Sequence, residues 1–187
     1  NGGARPGDIL MLTKALGTGA VSTALNRNEV AAEVLQSATD SMTDLNAGAA
    51  RAALECAVQA ATDVTGFGLC GHGAEMAAAS GVLLEIRSGA LPLLPGAQEL
   101  VARGIVSGGS KKNRDHLGNR LEVASDVSDN LLALALDSET SGGLLLAIPS
   151  DEVDAMTRSL QSEGVKIQAI IGEVKPSQGD VSIRITG

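Results

Sequence analysis

At 187 residues, 44% of them hydrophobic and 19% charged, the chain is long enough to close a core of its own. A single Phe with no Trp and no Tyr leaves packing to aliphatic side chains and excludes an aromatic stacking platform, and the net charge of −8 excludes general binding to a nucleic-acid backbone. No run of about 18 apolar residues points to a membrane span, the first residues lack a signal-peptide layout, and two cysteines outside any Cys-x-x-Cys pair make no disulfide framework, so the expected compartment is the cytoplasm.

Asp8 to Thr13 (DILMLT) follows Pro6-Gly7 and predicts a strand. It leads through Lys14 to Gly17, Thr18 and Gly19 and a helix over Ala20 to Leu25. Amides and a hydroxyl at such a helix start suit a phosphate-bearing cleft; a plain turn is the alternative. Val30, Val34, Leu35 and Ala38 fall at helical spacing and predict an amphipathic helix from Asn28 to Ala38, with Glu29 in its first turn. An Ala-rich helix is predicted next, from Asp44 or Asn46 to Glu55.

Cys56 to Thr62 predicts a buried strand that presents Asp63 at its tip, followed by Gly66-Phe67-Gly68 and a helix from Leu69 to Ser80 that Gly81 ends in a left-handed conformation. An acid ahead of a glycine-permitted turn into a helix suits a metal-phosphate group. The glycines free the backbone, helix amides favour anions, and Asp63 can give a hard oxygen to Mg²⁺, which takes only one or two protein carboxylates. The same residues also spell a tight turn in which Asp63 caps a loop amide. Cys70 and His72 suggest a nucleophile and a base, but positions two apart on a helix do not share a face, and Cys70 reads as a small buried hydrophobe. Val82 to Ile86 is the next predicted strand.

Leu91 to Pro95 is a connector and Gly96 to Arg103 a short helix ending at Gly104. Ser107 to His116 (SGGSKKNRDH) has no hydrophobic period and reads as a loop, either a solvated charge cluster or a flap whose Lys111, Lys112 or Arg114 meets phosphate. A helix from Asp129 to Leu136 precedes Asp137 to Gly143 (DSETSGG) and the apolar strand Leu144 to Ile148. Here Thr140 and Ser141 offer hydroxyls, while Gly142 and Gly143 permit close approach of either a neighbouring segment or a ligand. Ser150, followed by Asp151, Glu152 and Asp154, predicts a capped helix start, with Val153, Met156 and Leu160 as its buried stripe and Gly164 at its end. Strands over Val165 to Val174 and Asp180 to Thr186 close the chain around a turn at Pro176 to Gly179. The expected fold class is α+β, a mixed β-sheet flanked by α-helices, in a single domain over residues 1–187.

Four segments, in the same order, carry a resemblance to one family. Gly3 to Gly19 (GARPGDILMLTKALGTG), Ala61 to His72 (ATDVTGFGLCGH), Leu91 to Gly109 (LPLLPGAQELVARGIVSGG) and Asp137 to Pro149 (DSETSGGLLLAIP) resemble the selenophosphate synthetases of the aminoimidazole ribonucleotide synthetase superfamily. The resemblance covers nearly the whole chain but only the C-terminal half of such an enzyme. Its other half, an N-terminal domain with a nucleophilic Cys or selenocysteine, a Lys and several metal-binding Asp residues, is expected to be absent here.

The resemblance implies a fold similar to the C-terminal domain of that superfamily, Mg²⁺ as cofactor, and ATP and selenide as substrates converted with water into selenophosphate, AMP and orthophosphate. It also implies a homodimer, and a fragment inactive by itself. Carried onto this chain, it makes Asp63 the Mg²⁺ ligand and sets Gly17, Thr18, Gly19, Thr140, Ser141, Gly142 and Gly143 along the ATP cleft. Asn113 joins them because it fits a Gly-Gly-x-x-x-Asn pattern with Gly108 and Gly109, and Lys14 is expected near the cleft. Ser138-Glu139 stands where the family usually has Pro-Gln, leaving the role of position 139 open, and Cys70 stands where an apolar residue is usual. Rival readings are a thiamine-monophosphate kinase or hydrogenase-maturation enzyme of the same superfamily, and a non-catalytic dimerisation or binding module.

Overall fold

Aliphatic strands must bury at least one face, and the alternation of side chains decides which residues go where. In the computed structural model, which describes residues 1–187, the strands are β1 (Ile9–Leu12), β2 (Ala60–Asp63), β3 (Val82–Arg87), β4 (Leu121–Val123), β5 (Leu144–Ile148), β6 (Ala169–Pro176) and β7 (Ile183–Thr186). They form one seven-stranded sheet in the order β2-β5-β1-β6-β3-β7-β4. The pairs from β2 to β3 are antiparallel, whereas β7 runs parallel to both β3 and β4, so the sheet is mixed. The helices are α1 (Thr18–Asn26), α2 (Ala32–Thr43), α3 (Ala47–Glu55), α4 (Gly68–Ser80), α5 (Ala97–Ala102), α6 (Gly108–Leu117), α7 (Asp129–Leu136) and α8 (Val153–Ser162).

Leu10, Leu12, Leu84, Ile86, Leu145 and Ala147 turn one face of the sheet toward Leu69, Cys70 and Met76 of α4 and Ala135 and Leu136 of α7, forming the main core. Met11, Leu146 and Ile148, one residue out of step, point to the other face and meet Ala49 and Ala52 of α3 and Met156 and Leu160 of α8. A third cluster joins α1, α2 and α5 around Val21, Ala38, Leu100 and Val101. Beyond β6 the second face is polar: Arg184 reaches Glu85 and Glu122, and Lys175 reaches Glu85 and Glu173. Both-sided cover is therefore confined to β2, β5 and β1, the strands that carry the candidate site.

Several element boundaries correct the sequence expectation. The helix expected over Asn28 to Ala38 begins only at Ala32 and runs to Thr43, because Asn28 sits in the left-handed region at φ 57°. Only Ala60–Asp63 of the expected Cys56 to Thr62 strand pairs in the sheet. Ser150 provides no side-chain cap; a short 3₁₀ turn over Ser150–Glu152 leads into α8 instead. The final strands are shorter or displaced, at Ala169–Pro176 and Ile183–Thr186, and β4 was not anticipated. The largest correction is α6, where a loop was expected. Ser107 caps it, its hydroxyl accepting from the Gly109 amide, and Ser110, Asn113 and Leu117 turn inward. Gly81 closes α4 at φ 68°, as read.

Candidate functional site

The loops that follow β1 and β2 and the one that enters β5 lie at the same end of the sheet, since Leu12 pairs with Leu145 and Asp63 with Leu144. Backbone bonds stitch them together. The Val64 amide donates to Gly143 O at 2.9 Å, and the Glu139 amide to Thr65 O at 3.0 Å. Thr18 is the hub between the first and last of these loops: its hydroxyl donates to Glu139 Oε2 at 2.6 Å and accepts from the Thr140 amide at 2.8 Å. The segments holding Gly17 to Gly19, Asp63, Asn113 and Thr140 to Gly143 thus meet in one loop cluster, although the sequence scatters them over more than half the chain.

Asp63 ends β2, an edge strand, and its carboxylate is exposed. It caps no loop amide. No three His, Cys, Asp or Glu side chains gather anywhere as a metal cage, so a cation here would take one carboxylate from this chain and complete its shell elsewhere, which suits Mg²⁺ with phosphate and water. Thr140 and Ser141 are exposed at the same rim. Ser141 has a left-handed backbone at φ 50°, and its carbonyl accepts from Lys14 Nζ at 2.8 Å.

The other expected residues stand behind this rim. Gly17 and Thr18 are buried, and their amides donate to Glu139 Oε1 at 2.7 Å and Oε2 at 3.1 Å. Gly19 is also buried, where a Cβ would come 2.4 Å from Ser138 O. Gly142 and Gly143 serve the close approach of neighbouring backbone: a Cβ would meet Val64 O at 2.2 Å in the first and Lys14 N at 2.5 Å in the second. Asn113 spends both protons of its amide nitrogen on the carbonyls of Gly66 and Leu136, bracing the loop after β2 against the end of α7. Lys14 is buried, with its ammonium on the carbonyls of Ser41, Asp44 and Ser141. Burial pushes its pKa down and nearby Asp44 pulls it partly back. It closes one wall of a cavity of about 350 Å³ between α2, α3 and the segment after α8.

Two buried acids escaped the sequence reading. Burial pushes the Glu139 carboxyl up to about 7, against the opposing pull of the Thr18 hydroxyl and the Gly17 and Thr18 amides. Asp137, 1% exposed, is pushed up by burial too, and neither of its carboxylate oxygens reaches full hydrogen-bond geometry with the Ala20 and Ser138 amides or Ser107 beside it. The departure at position 139 is thus a clasp from the loop before β5 on the Gly17 turn. No local pattern could have revealed it, because its partners lie 121 and 122 residues away. Cys70 is fully buried, with its thiol pushed up to about 12, and it acts as the small hydrophobe expected.

On the α6 side of the cluster Phe67 is 49% exposed. It stacks on His116 with centroids 6.0 Å apart and meets His72 at 5.6 Å in a tilted contact. Gly68, the next residue, has φ 68° and lies so close to α7 that a Cβ would be 2.5 Å from Asp137 O. Sequence reading gave His116 no part; the one available signal was that the only Phe of the chain sits inside the Gly-x-Gly motif.

A mixed sheet with helices on one face throughout and on the other over half its width, its loops interlocked at one end, defines an α+β domain of the aminoimidazole ribonucleotide synthetase type. The profile of the AIR synthase related protein, C-terminal domain, matches residues 5–184, and the chain belongs to that family. It is 44% identical over 184 residues to a selenide, water dikinase of Nitratidesulfovibrio vulgaris, covering 98% of this chain and 53% of that protein. Against the selenide, water dikinase of Geobacter metallireducens it is 44% identical over 183 residues, with the same coverage of 98% and 53%. The chain thus spans about half the length of these curated relatives. Among solved structures, Escherichia coli HypE superposes with a TM-score of 0.68 at 25% identity, over 98% of this chain and 47% of HypE. A thiamine-monophosphate kinase from Stenotrophomonas maltophilia shares the fold, with a TM-score of 0.68 at 18% identity over 100% of this chain and 52% of the kinase.

Proposed function

We propose that this chain works as the C-terminal domain of a selenide, water dikinase, an enzyme that makes selenophosphate, AMP and orthophosphate from ATP, selenide and water. The observation that carries the reading is Asp63: an exposed carboxylate at the tip of an edge strand, in the DVTGFG segment, free of any ion pair and set at the rim of a stitched loop cluster. Asp63 is the residue of this chain that would hold Mg²⁺, and bound Mg²⁺ would neutralise charge on the phosphates. Thr140 and Ser141 would face the nucleotide beside it. Gly17, Thr18, Gly19, Asn113, Gly142 and Gly143 would shape that cleft from behind, holding the rim in register.

Phosphoryl transfer asks the protein chiefly to position reactants and balance charge, so a rim held by backbone bonds from three loops suits the task. With one exposed carboxylate and no thiol nucleophile at the rim, the domain by itself is expected to be inactive; the remaining groups would come from an N-terminal domain of the whole protein. The same reading makes the enzyme a cytoplasmic homodimer. Both cysteines are free thiols, as a reducing compartment would keep them, and no helix is long and apolar enough to cross a membrane.

The test is AMP formation from Mg²⁺-ATP by the full-length protein, with and without selenide, beside Asp63→Ala. Selenide-dependent AMP production that falls by about a hundredfold or more in the variant is the expected result. Turnover indifferent to selenide would move the assignment to a thiamine-monophosphate kinase or HypE-like activity. Nucleotide binding unchanged by the substitution, with no turnover in either protein, would leave a binding module.

A further inference from the structure

Two successive carbonyls of the rim, those of Ser141 and Gly142, are gripped from one place, the turn between α2 and α3. Lys14 Nζ joins the first to that turn, donating to Ser141 O at 2.8 Å, Ser41 O at 3.0 Å and Asp44 O at 2.6 Å. Asn46, in the same turn, donates from its side-chain amide to Gly142 O at 2.8 Å.

An ammonium has three protons to donate, and Lys14 spends all three on backbone carbonyls. The carbonyl of Ser41 is among the last four of α2, which have no partner inside the helix. A helix C-terminus favours a cation, and α2 has no base in its last turn, so β1 supplies one from the other side of the cavity. Gly143 lets the two segments close up, since a Cβ there would stand 2.9 Å from the Lys14 Cβ. Without the ammonium three carbonyls would face one another with no donor between them. Ser141 would lose its tie, and its φ of 50° is one that a residue with a side chain keeps only where its surroundings hold it. Lys166 also reaches the turn, but through an exposed ion pair with the Asp44 carboxylate at 3.3 Å, leaving the carbonyls alone.

We propose that Lys14 is a positioning residue of the candidate site, an ammonium fixed among the carbonyls of Ser41, Asp44 and Ser141 that sets the backbone from Thr140 to Gly143, with Asn46 as the second tie. It touches no substrate and acts through the Ser141 carbonyl, aiming Thr140 and Ser141 at the cleft. Its effect on nucleotide rests on the function proposed above, whereas its hold on the rim does not.

The test is chemical rescue in the full-length protein. Lys14→Ala deletes the atoms of n-propylammonium from the wall of the cavity of about 350 Å³, which gives that amine a way in. Hydrogen exchange is followed over Thr140 to Leu144, where the Thr140 amide donates to Thr18 Oγ1 and the Leu144 amide to Thr13 Oγ1. Lys14→Met, which keeps the length without the donors, should speed exchange there about tenfold, and Asn46→Ala should speed it less. In Lys14→Ala, n-propylammonium should restore slow exchange saturably. Tetramethylammonium, with the same charge and no N–H, should not, and Lys166→Ala should exchange like the parent. The KM for ATP, whichever second substrate the enzyme takes, should rise about tenfold in Lys14→Met with kcat changed less, and n-propylammonium should lower it again in Lys14→Ala. Exchange is read without turnover, so activity indifferent to selenide would overturn the dikinase reading and leave this one standing. Unchanged exchange in Lys14→Met, equal rescue by tetramethylammonium, faster exchange spread evenly over the whole sheet, or a loosened rim with KM unmoved would overturn the positioning role.

Discussion

Two Gly-x-Gly turns lead into helices in this chain, Gly17-Thr18-Gly19 into α1 and Gly66-Phe67-Gly68 into α4, and their fates are opposite. At the first, the carboxylate of Glu139 occupies the Gly17 and Thr18 amides, and all three residues are buried. At the second, Gly66 and Phe67 are exposed, and no acid stands in the first turn of α4. Neither turn carries a side-chain cap of its own. A helix start that favours anions will accept an internal carboxylate as readily as a ligand. Which one it receives is decided here by a residue on the far side of the sequence.

The contrast can be broken most severely at Gly68. Its φ of 68° and the approach of Asp137 O to 2.5 Å of a built Cβ mean that Gly68→Ala must displace the loop between α7 and β5. A loss of about 4 kcal/mol is expected, seen as a thermal midpoint lowered by roughly 10 °C.

Glu139→Gln tests the closed turn through pH. The carboxyl holds its proton up to about pH 7 when folded and only to about 4.5 when free, so between those values the folded state is the better proton binder. Its stabilising contribution is complete below about pH 4.5 and is lost as pH rises through about 7. The difference in stability between the natural chain and Glu139→Gln should therefore change by on the order of 3 kcal/mol across that window. Urea midpoints from pH 4.5 to 8 would show it, with the variant keeping only the slope that buried Asp137, also raised, contributes in the same direction. Equal pH slopes in the two proteins would rule out the buried clasp as a proton-binding group.

A smaller effect is expected from Thr18→Val, which strips a hydroxyl from Glu139 and an acceptor from the Thr140 amide while keeping the side-chain volume: about 2 kcal/mol in denaturant unfolding. Smallest is Gly66→Ala. Gly66 has an ordinary φ and nothing within 4 Å of a built Cβ, so stability should stay within about 0.5 kcal/mol of the parent. That result beside Gly68→Ala would separate the two glycines of one motif by their surroundings alone.

Sequence carried the elements whose own residues set their burial. The strand-loop-helix-strand unit from β2 to β3, the hydrophobic strand β5 and the helix α7 were legible because apolar runs and glycine stops coincide. α6 was not, since its inward positions are Ser110, Asn113 and Leu117, and two polar residues erase the period that betrays a helix. Asn113 is buried for its two bonds to backbone carbonyls, a gain that no hydropathy pattern registers. The convergence of the site segments followed from resemblance, whereas the Glu139 clasp, the spent donors of Lys14 and the ring cluster at Phe67 required coordinates. Each depends on pairs distant in sequence, where local chemistry is silent.

The strand order has a consequence for how the molecule comes into being. β1 has as its neighbours β5 and β6, and β2 pairs only with β5. Nothing between β2 and Leu144 can therefore complete the centre of the sheet, and β1 and β2 must wait unpaired until β5 is available. Wedging β5 between them closes loops of about a hundred residues in one event, so folding should be slow and cooperative. The rim that presents Asp63 forms in that same event, and a nascent chain lacking its final segments would display two apolar strand edges in place of a site.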